Sequence, residues 1–126
     1  MFGEKEIYGK FEKTLDTKGR VLLPSATGAE IGDKLFLMTY TNGVKVIAKR
    51  KVQDIVELID KRIEALGFQN NKEINELKAT RDAIYDSIIR EVTVDANKRI
   101  NTHNLFGKTK DIVVVGHKDY VVLKKR

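Results

Sequence analysis

Glu12-Lys13-Thr14-Leu15-Asp16-Thr17-Lys18-Gly19-Arg20-Val21 and Glu91-Val92-Thr93-Val94-Asp95-Ala96-Asn97-Lys98-Arg99-Ile100 share one pattern, 79 residues apart. Glu, Thr, Asp and Arg coincide, and Leu15/Val94 and Val21/Ile100 match in kind. A repeat of this kind decides the architecture, so it precedes any assignment of elements. The apolar segments downstream of each copy also correspond. Leu35-Phe36-Leu37-Met38 lies over Ile112-Val113-Val114-Val115, and Val44-Lys45-Val46-Ile47 over Tyr120-Val121-Val122-Leu123. Two related halves are expected, residues 1–50 and 91–126, joined through a connector over 51–90. At 126 residues they should together make one compact domain.

Each copy reads as β-structure. Phe11, Lys13 and Leu15 alternate with Glu12 and Thr14, the period of a half-buried strand. Thr17-Lys18-Gly19 is a turn, with Gly19 free to take a positive φ. Val21-Leu22-Leu23 is a second short strand, stopped by Pro24. Leu35–Thr39 and Val44–Ala48 flank Tyr40-Thr41-Asn42-Gly43, and Asn-Gly is a strong hairpin signal. In the second copy Ile112–Val115 and Tyr120–Leu123 flank the polar turn Gly116-His117-Lys118-Asp119.

The connector is helical by its period. Val52, Ile55, Val56, Ile59, Ile63 and Leu66 form one apolar stripe, and Gly67 can cap its C-terminus. Asn70 with Glu73 three residues on resembles a capping box. A second stripe runs Ile74, Leu77, Ile84, Tyr85 and Ile88, interrupted by Arg81. Two such helices should form an antiparallel hairpin, packed on each other and on the sheet, with part of that surface available to a subunit contact.

Charge tracks the repeat. The formal net charge is +6. Residues 1–50 carry nine bases and six acids, 51–90 seven and eight, and 91–126 eight and four. The basic excess thus lies on the two β copies, which suits a polyanion partner. Cysteine is absent, which excludes disulfides, thiolate metal sites and cysteine nucleophiles; two histidines leave little for a metal centre. No cofactor and no metal are expected. The 41% hydrophobic content argues against disorder and is enough for a real core. Residues 1–10 hold no apolar stretch of signal-peptide length, and no apolar run approaches the ~20 residues that span a bilayer, so a cytoplasmic protein is expected.

Asp16–Arg20 and Asp95–Arg99 are the paired feature with chemistry in it. An aspartate entering a tight turn accepts hydrogen bonds from backbone N–H groups two residues on, and can hold a guanidinium in a fixed fork. Two readings stay open from spacing alone: the pair only braces the turn, or it presents a pre-oriented arginine to a phosphate or a guanine edge. Lys18 and Lys98 tilt the balance to the second, since bracing needs no extra cation. Asp16, Asp95 and Gly19 would brace the turns. Lys13, with Lys10 and more weakly Lys5, could add phosphate contacts.

The tandem halves, the opening Met1-Phe2-Gly3-Glu4, the motif Leu15-Asp16-Thr17-Lys18-Gly19-Arg20-Val21-Leu22-Leu23-Pro24 and the late Lys110-Asp111-Ile112-Val113-Val114-Val115-Gly116 resemble the MraZ family. These are bacterial transcriptional regulators with two fused SpoVT/AbrB-like swapped-hairpin halves. The resemblance covers most of the chain, including the helical pair. It implies a mainly β fold with a helical insert (α+β), the halves forming a pseudo-symmetric, β-barrel-like unit. It further implies ring-like homo-oligomers, double-stranded promoter DNA with repeats as partner, regulation of a division and cell-wall gene cluster, and a nucleoid-associated location. Carried over position by position, the DNA surface takes in Arg20 with Lys18, and the second arginine maps to Arg99. The second turn departs from the pattern: Lys98 stands where a glycine usually precedes the arginine, and Ile100-Asn101-Thr102-His103 replaces an apolar run ending in proline.

Other classes fit less well. His103 and His117 have no close carboxylate–histidine spacing, and His117 in a hairpin turn reads as solvated. Ser25 and Ser87 lack a nucleophile-elbow context, and Thr17-Lys18-Gly19-Arg20 is not a phosphate-binding loop of nucleotide enzymes. No enzymatic activity and no small-molecule substrate are expected. The connector is net −1 and lacks the basic face of a membrane-surface helix. The competing reading is an AbrB-type antitoxin or protein-interaction module from a mobile element, although such antitoxins usually carry one short β half and a disordered tail.

Overall fold

The computed structural model describes residues 1–68 and 70–126. In chain order the elements are β1 Lys10–Thr14, β2 Arg20–Leu22, β3 Lys34–Tyr40, β4 Gly43–Ala48, α1 Lys49–Leu66, α2 Asn71–Ser87, β5 Ile88–Thr93, β6 Arg99–Asn101, β7 Asp111–Gly116 and β8 Tyr120–Lys125. A short 3-10 turn at Ser25–Thr27 comes directly after Pro24. The chain is mostly β-sheet with two helices, an α+β fold.

Six strands make one antiparallel sheet in the order β1-β7-β8-β4-β3-β5. Exchange the two copies and the order reads the same from the other end. β1 pairs with β7 of the second copy, and β5 pairs with β3 of the first. β4 and β8 meet in the middle, Val46 opposite Val121. The barrel-like unit expected from the resemblance is not formed: among the described strands the sheet is open, with β1 and β5 as its edges. The reason lies in the Asp turns. After them the chain leaves the sheet as β2 and β6, which pair with each other as a separate two-stranded ribbon.

Period-2 alternation gives the sheet two different faces. Leu35, Leu37, Val46, Val121 and Leu123 face the main core, together with Val21 and Ile100 of the ribbon. Phe36, Met38, Ile47 and Tyr120 point to the other face, where Val52 and Val56 of α1 cover them. The result is three layers: ribbon and loops, sheet, helical pair.

The helices match the apolar stripes in part. Val52, Val56 and Ile74 are buried and Ile84 is half-buried, while Ile55 and Tyr85 remain 45% and 52% exposed. Arg81 interrupts the second stripe because its Nη1 bonds Asp60 of α1 at 2.8 Å. Arg62 meets Glu73 at 3.0 Å, so the contacts step backward along one helix as they step forward along the other, as antiparallel helices require. Asn70 Oδ1 accepts from the Glu73 N–H at 3.3 Å, the expected cap; Glu73 returns to the Asn70 side-chain amide rather than to its backbone. Gly67 ends α1 at φ 56°. Ile88, read from its period as the last turn of the second helix, is instead the first residue of β5. No described helix is long and apolar enough to cross a membrane.

Two hairpin turns differ from their sequence reading. Tyr40 pairs with Gly43, so the loop is Thr41-Asn42 and Asn42 takes the positive φ of 60°. Gly43 serves a different purpose: a Cβ there would lie 2.6 Å from the Leu123 carbonyl oxygen. His117 is half-buried rather than fully solvated. Its ring stacks on Tyr120 at 5.4 Å with a 3° tilt, beside Tyr40, and its Nε2 is buried without a partner among the described residues.

Gly43→Ala is therefore expected to cost about 1–3 kcal/mol, the range for overpacking against atoms that cannot yield. Urea unfolding would read this as a lowered midpoint. Asn42→Gly, at the neighbouring loop position, should stay within about 0.5 kcal/mol of the natural protein.

Candidate nucleic-acid interface

The two Asp turns are built from the same hydrogen bonds. Asp16 Oδ1 accepts from the N–H of Lys18 and of Arg20, each at 2.9 Å, and Oδ2 accepts from Arg20 Nε at 2.8 Å. Asp95 Oδ1 accepts from Asn97 and Arg99 N–H at 2.9 Å each, and Oδ2 from Arg99 Nε at 3.2 Å. The backbones also agree: Gly19 N–H donates to the Asp16 carbonyl and Lys98 N–H to the Asp95 carbonyl, both at 3.0 Å. Each aspartate thus closes the turn and aims the arginine in one act.

The residue before each arginine is left-handed. Gly19 has φ 76° and Lys98 has φ 59°. Glycine adopts this freely; for a residue with a Cβ it costs roughly 1–2 kcal/mol. The second turn therefore keeps the shape of the first without its glycine, because the Asp95 bonds hold it. Lys18 occupies the position of Asn97, and Lys98 that of Gly19, so the two lysines leave their turns from different places.

The ribbon then brings the turns together. Arg20 lies opposite Asn101, Val21 opposite Ile100 and Leu22 opposite Arg99. Arg99 Nη1 reaches across to Asp16 Oδ2 at 3.4 Å, so one carboxylate holds both guanidinium groups. The arginine side chains are 29% and 26% exposed. Among the described residues the Arg20 Nη atoms have no protein partner, which leaves the outer edge of that guanidinium able to donate. No spacing rule could have shown this pairing of residues 79 apart.

Lys18 and Lys98 are exposed at opposite ends of the ribbon, each beside its own turn's arginine. Lys13 is not brought to the arginines. It is half-buried on the edge strand β1, opposite Ile112. His103, after β6, is exposed and its Nδ1 lies 2.9 Å from Arg90 Nη1. Among the described residues no group of three or more metal-ligating side chains comes together.

The hydrogen bonds lower both aspartates' pKa values. The Arg20 backbone N–H, and then its side chain, hold Asp16 down at about 2. The Arg99 backbone N–H acts in the same direction on Asp95. A carboxylate lowered on folding stabilises the fold fully above its unfolded pKa of about 4, and this is lost as pH falls through the folded value. Acid unfolding monitored by circular dichroism should therefore steepen between about pH 4 and 2. Asp16→Asn keeps an acceptor for the two backbone N–H groups and should flatten that slope. Asp16→Ala removes every bond and should lower the thermal midpoint further. Lys98→Gly relieves the left-handed backbone at some entropic cost, for a net gain of about 0.5–1 kcal/mol.

No family model matches the chain. It is 26% identical over 127 aligned positions to the Transcriptional regulator MraZ of Mycoplasmopsis pulmonis, covering 93% of this chain and 77% of that one. It is 23% identical over 120 positions to the Transcriptional regulator MraZ of Mycoplasma mobile, covering 87% and 73%. Over most of its length, and in a chain that carries the Asp-x-x-x-Arg turn twice, the sequence is thus similar to regulators named MraZ.

Proposed function

We propose that this transcriptional regulator binds double-stranded promoter DNA in a sequence-specific way, several copies engaging spaced repeats together. One observation carries the reading: both Asp-locked arginines project from one antiparallel ribbon. A two-stranded ribbon fits the major groove, about 12 Å wide. An arginine held at Nε keeps its Nη edge for the O6 and N7 of guanine, and the holding aspartate reduces the entropy lost on contact. Lys18 and Lys98 beside the arginines would meet phosphates. The role as a regulator is supported by the names of both relatives, each a transcriptional regulator.

The finer parts of the reading belong together. Residues 1–50 and 91–126 would be swapped-hairpin halves of one functional unit, supported by the exchange of β1 and β5 between the copies. One ribbon offers few base contacts, so useful affinity would come from a ring-like homo-oligomer that raises the effective concentration of each further contact. Action on a division and cell-wall gene cluster, at the nucleoid in the cytoplasm, completes the proposal.

Arg20→Ala tests the base-reading role. Specific affinity for a duplex selected from a random library should fall by about 1–3 kcal/mol, with relaxed discrimination at one position. Circular dichroism checks that the fold is kept. Near-natural specific affinity would remove Arg20 from the interface. For Z neutralised phosphates the logarithm of affinity should fall against that of salt with a slope of about −0.9Z. A flat response would favour the protein-interaction module instead.

A further inference from the structure

The ribbon looks two-fold, but the two chain segments that flank its ends carry different charges. Each Asp turn is spanned by a strap of chain from the other copy. The strap over the first turn is residues 102–110: Thr102 N–H and Oγ1 donate to the Gly19 carbonyl at 2.9 and 2.6 Å, and Leu15 N–H donates to the Lys110 carbonyl at 2.8 Å. The strap over the second turn is residues 23–33. It is tied at matching points, Leu23 N–H to the Lys98 carbonyl at 3.1 Å and Val94 N–H to the Asp33 carbonyl at 2.9 Å. Buried Phe106 anchors the first strap in the core, as buried Thr27 and Ala29 anchor the second. The anchors correspond; the charges do not. Residues 102–110 hold Lys108 and Lys110 and no acid, whereas residues 23–33 hold Glu30 and Asp33 and no base.

Between the first turn and its strap lies a cleft of about 140 Å³, lined in part by Thr17, Lys18, Thr102, Asn104 and Lys110. Among the described residues no carboxylate lines it. Asp16 next door is already engaged by the Lys18 N–H and by Arg20. Two lysines of different copies thus line one small space next to the Asp16 turn, with Thr17, Thr102 and Asn104 around it. At the other end the equivalent strap carries no base, and its acids are already engaged, Glu30 by the Met1 ammonium and buried Asp33 by the Phe2 and Glu30 N–H groups.

We propose that this cleft seats a backbone phosphate of duplex DNA, held by Lys18 and Lys110 with Lys108 flanking. The inference rests on the DNA-binding reading and adds a site to it. The Arg20 end of the ribbon becomes the anchoring end, and the Arg99 end meets the duplex without a matching phosphate seat. Each chain then lies on DNA with a defined direction, although its fold is nearly symmetric.

The test compares the natural protein with Lys110→Gln, Lys108→Gln and, as a control of equal charge, Lys78→Gln on the exposed side of α2. Binding is measured across salt concentrations to a library-selected duplex and to its scrambled version. Lys110→Gln should weaken both duplexes by the same factor and reduce the salt slope by about 0.9, because a phosphate contact carries no sequence information. Lys108→Gln should have a smaller effect in the same direction, and Lys78→Gln should leave the slope unchanged. A natural slope in Lys110→Gln overturns the proposal while the DNA reading stands. So does a loss confined to the selected duplex. Saturable binding of inorganic phosphate at constant ionic strength, with that natural slope, would assign the cleft to a free anion instead. If the natural protein binds neither duplex, both readings fall.

Discussion

Val21 lies opposite Ile100 at the centre of a three-residue antiparallel ribbon, and both side chains are fully buried in the main core. The candidate site depends on this pairing. It joins two turns that the chain makes 79 residues apart, and it puts Arg99 within reach of Asp16. A two-stranded hairpin is marginal in water by itself. Here the ribbon is held because its apolar side chains seal one face of the six-stranded sheet. Burial of Val21 and Ile100 therefore positions the polar groups on the outside.

Within that frame the aspartates set local geometry. Each accepts from two backbone N–H groups, which shape the turn, and from an arginine Nε, which fixes the side chain; Asp16 also accepts from Arg99 Nη1. This redundancy explains how the second turn tolerates Lys98 in a left-handed backbone. The penalty for a Cβ there is offset by charge-assisted hydrogen bonds, which are the stronger kind. The cation gained at that position is one the first turn cannot carry, since Gly19 has no side chain.

Duplication without identity runs through the rest of the molecule. The sheet order is symmetric under exchange of the copies, and so are the anchors of the two straps. The side chains on those straps have diverged to opposite charge. A near-symmetric backbone with an asymmetric charge distribution resembles a hetero-dimer folded from one chain. The helical pair breaks the symmetry again, covering Met38 and Ile47 on the sheet face away from the ribbon. That leaves the ribbon side clear of the net-acidic connector.

Much of this was legible in the residues. Alternation in Phe11–Leu15 and the apolar runs flanking Asn42-Gly43 declared strands, the apolar stripes declared two helices, and Asp-x-x-x-Arg declared two turns that organise an arginine, because each of these depends on neighbours along the chain. Other features were not legible. Ile88 has the right period for a helix yet starts β5, since pairing with Met38 outweighs local preference. His117 looked solvated, but its ring is half-buried, stacked on Tyr120 three residues on and beside Tyr40 of the distant β3. The open sheet, the ribbon that unites Arg20 with Arg99, and the cleft shared by Lys18 and Lys110 all arise from long-range pairing. The sequence by itself determined the repeat, the elements and the chemistry of each turn. Only the tertiary structure decided which turns and straps meet, because pairing between distant strands is set by burial of a shared core and leaves no mark in residue spacing.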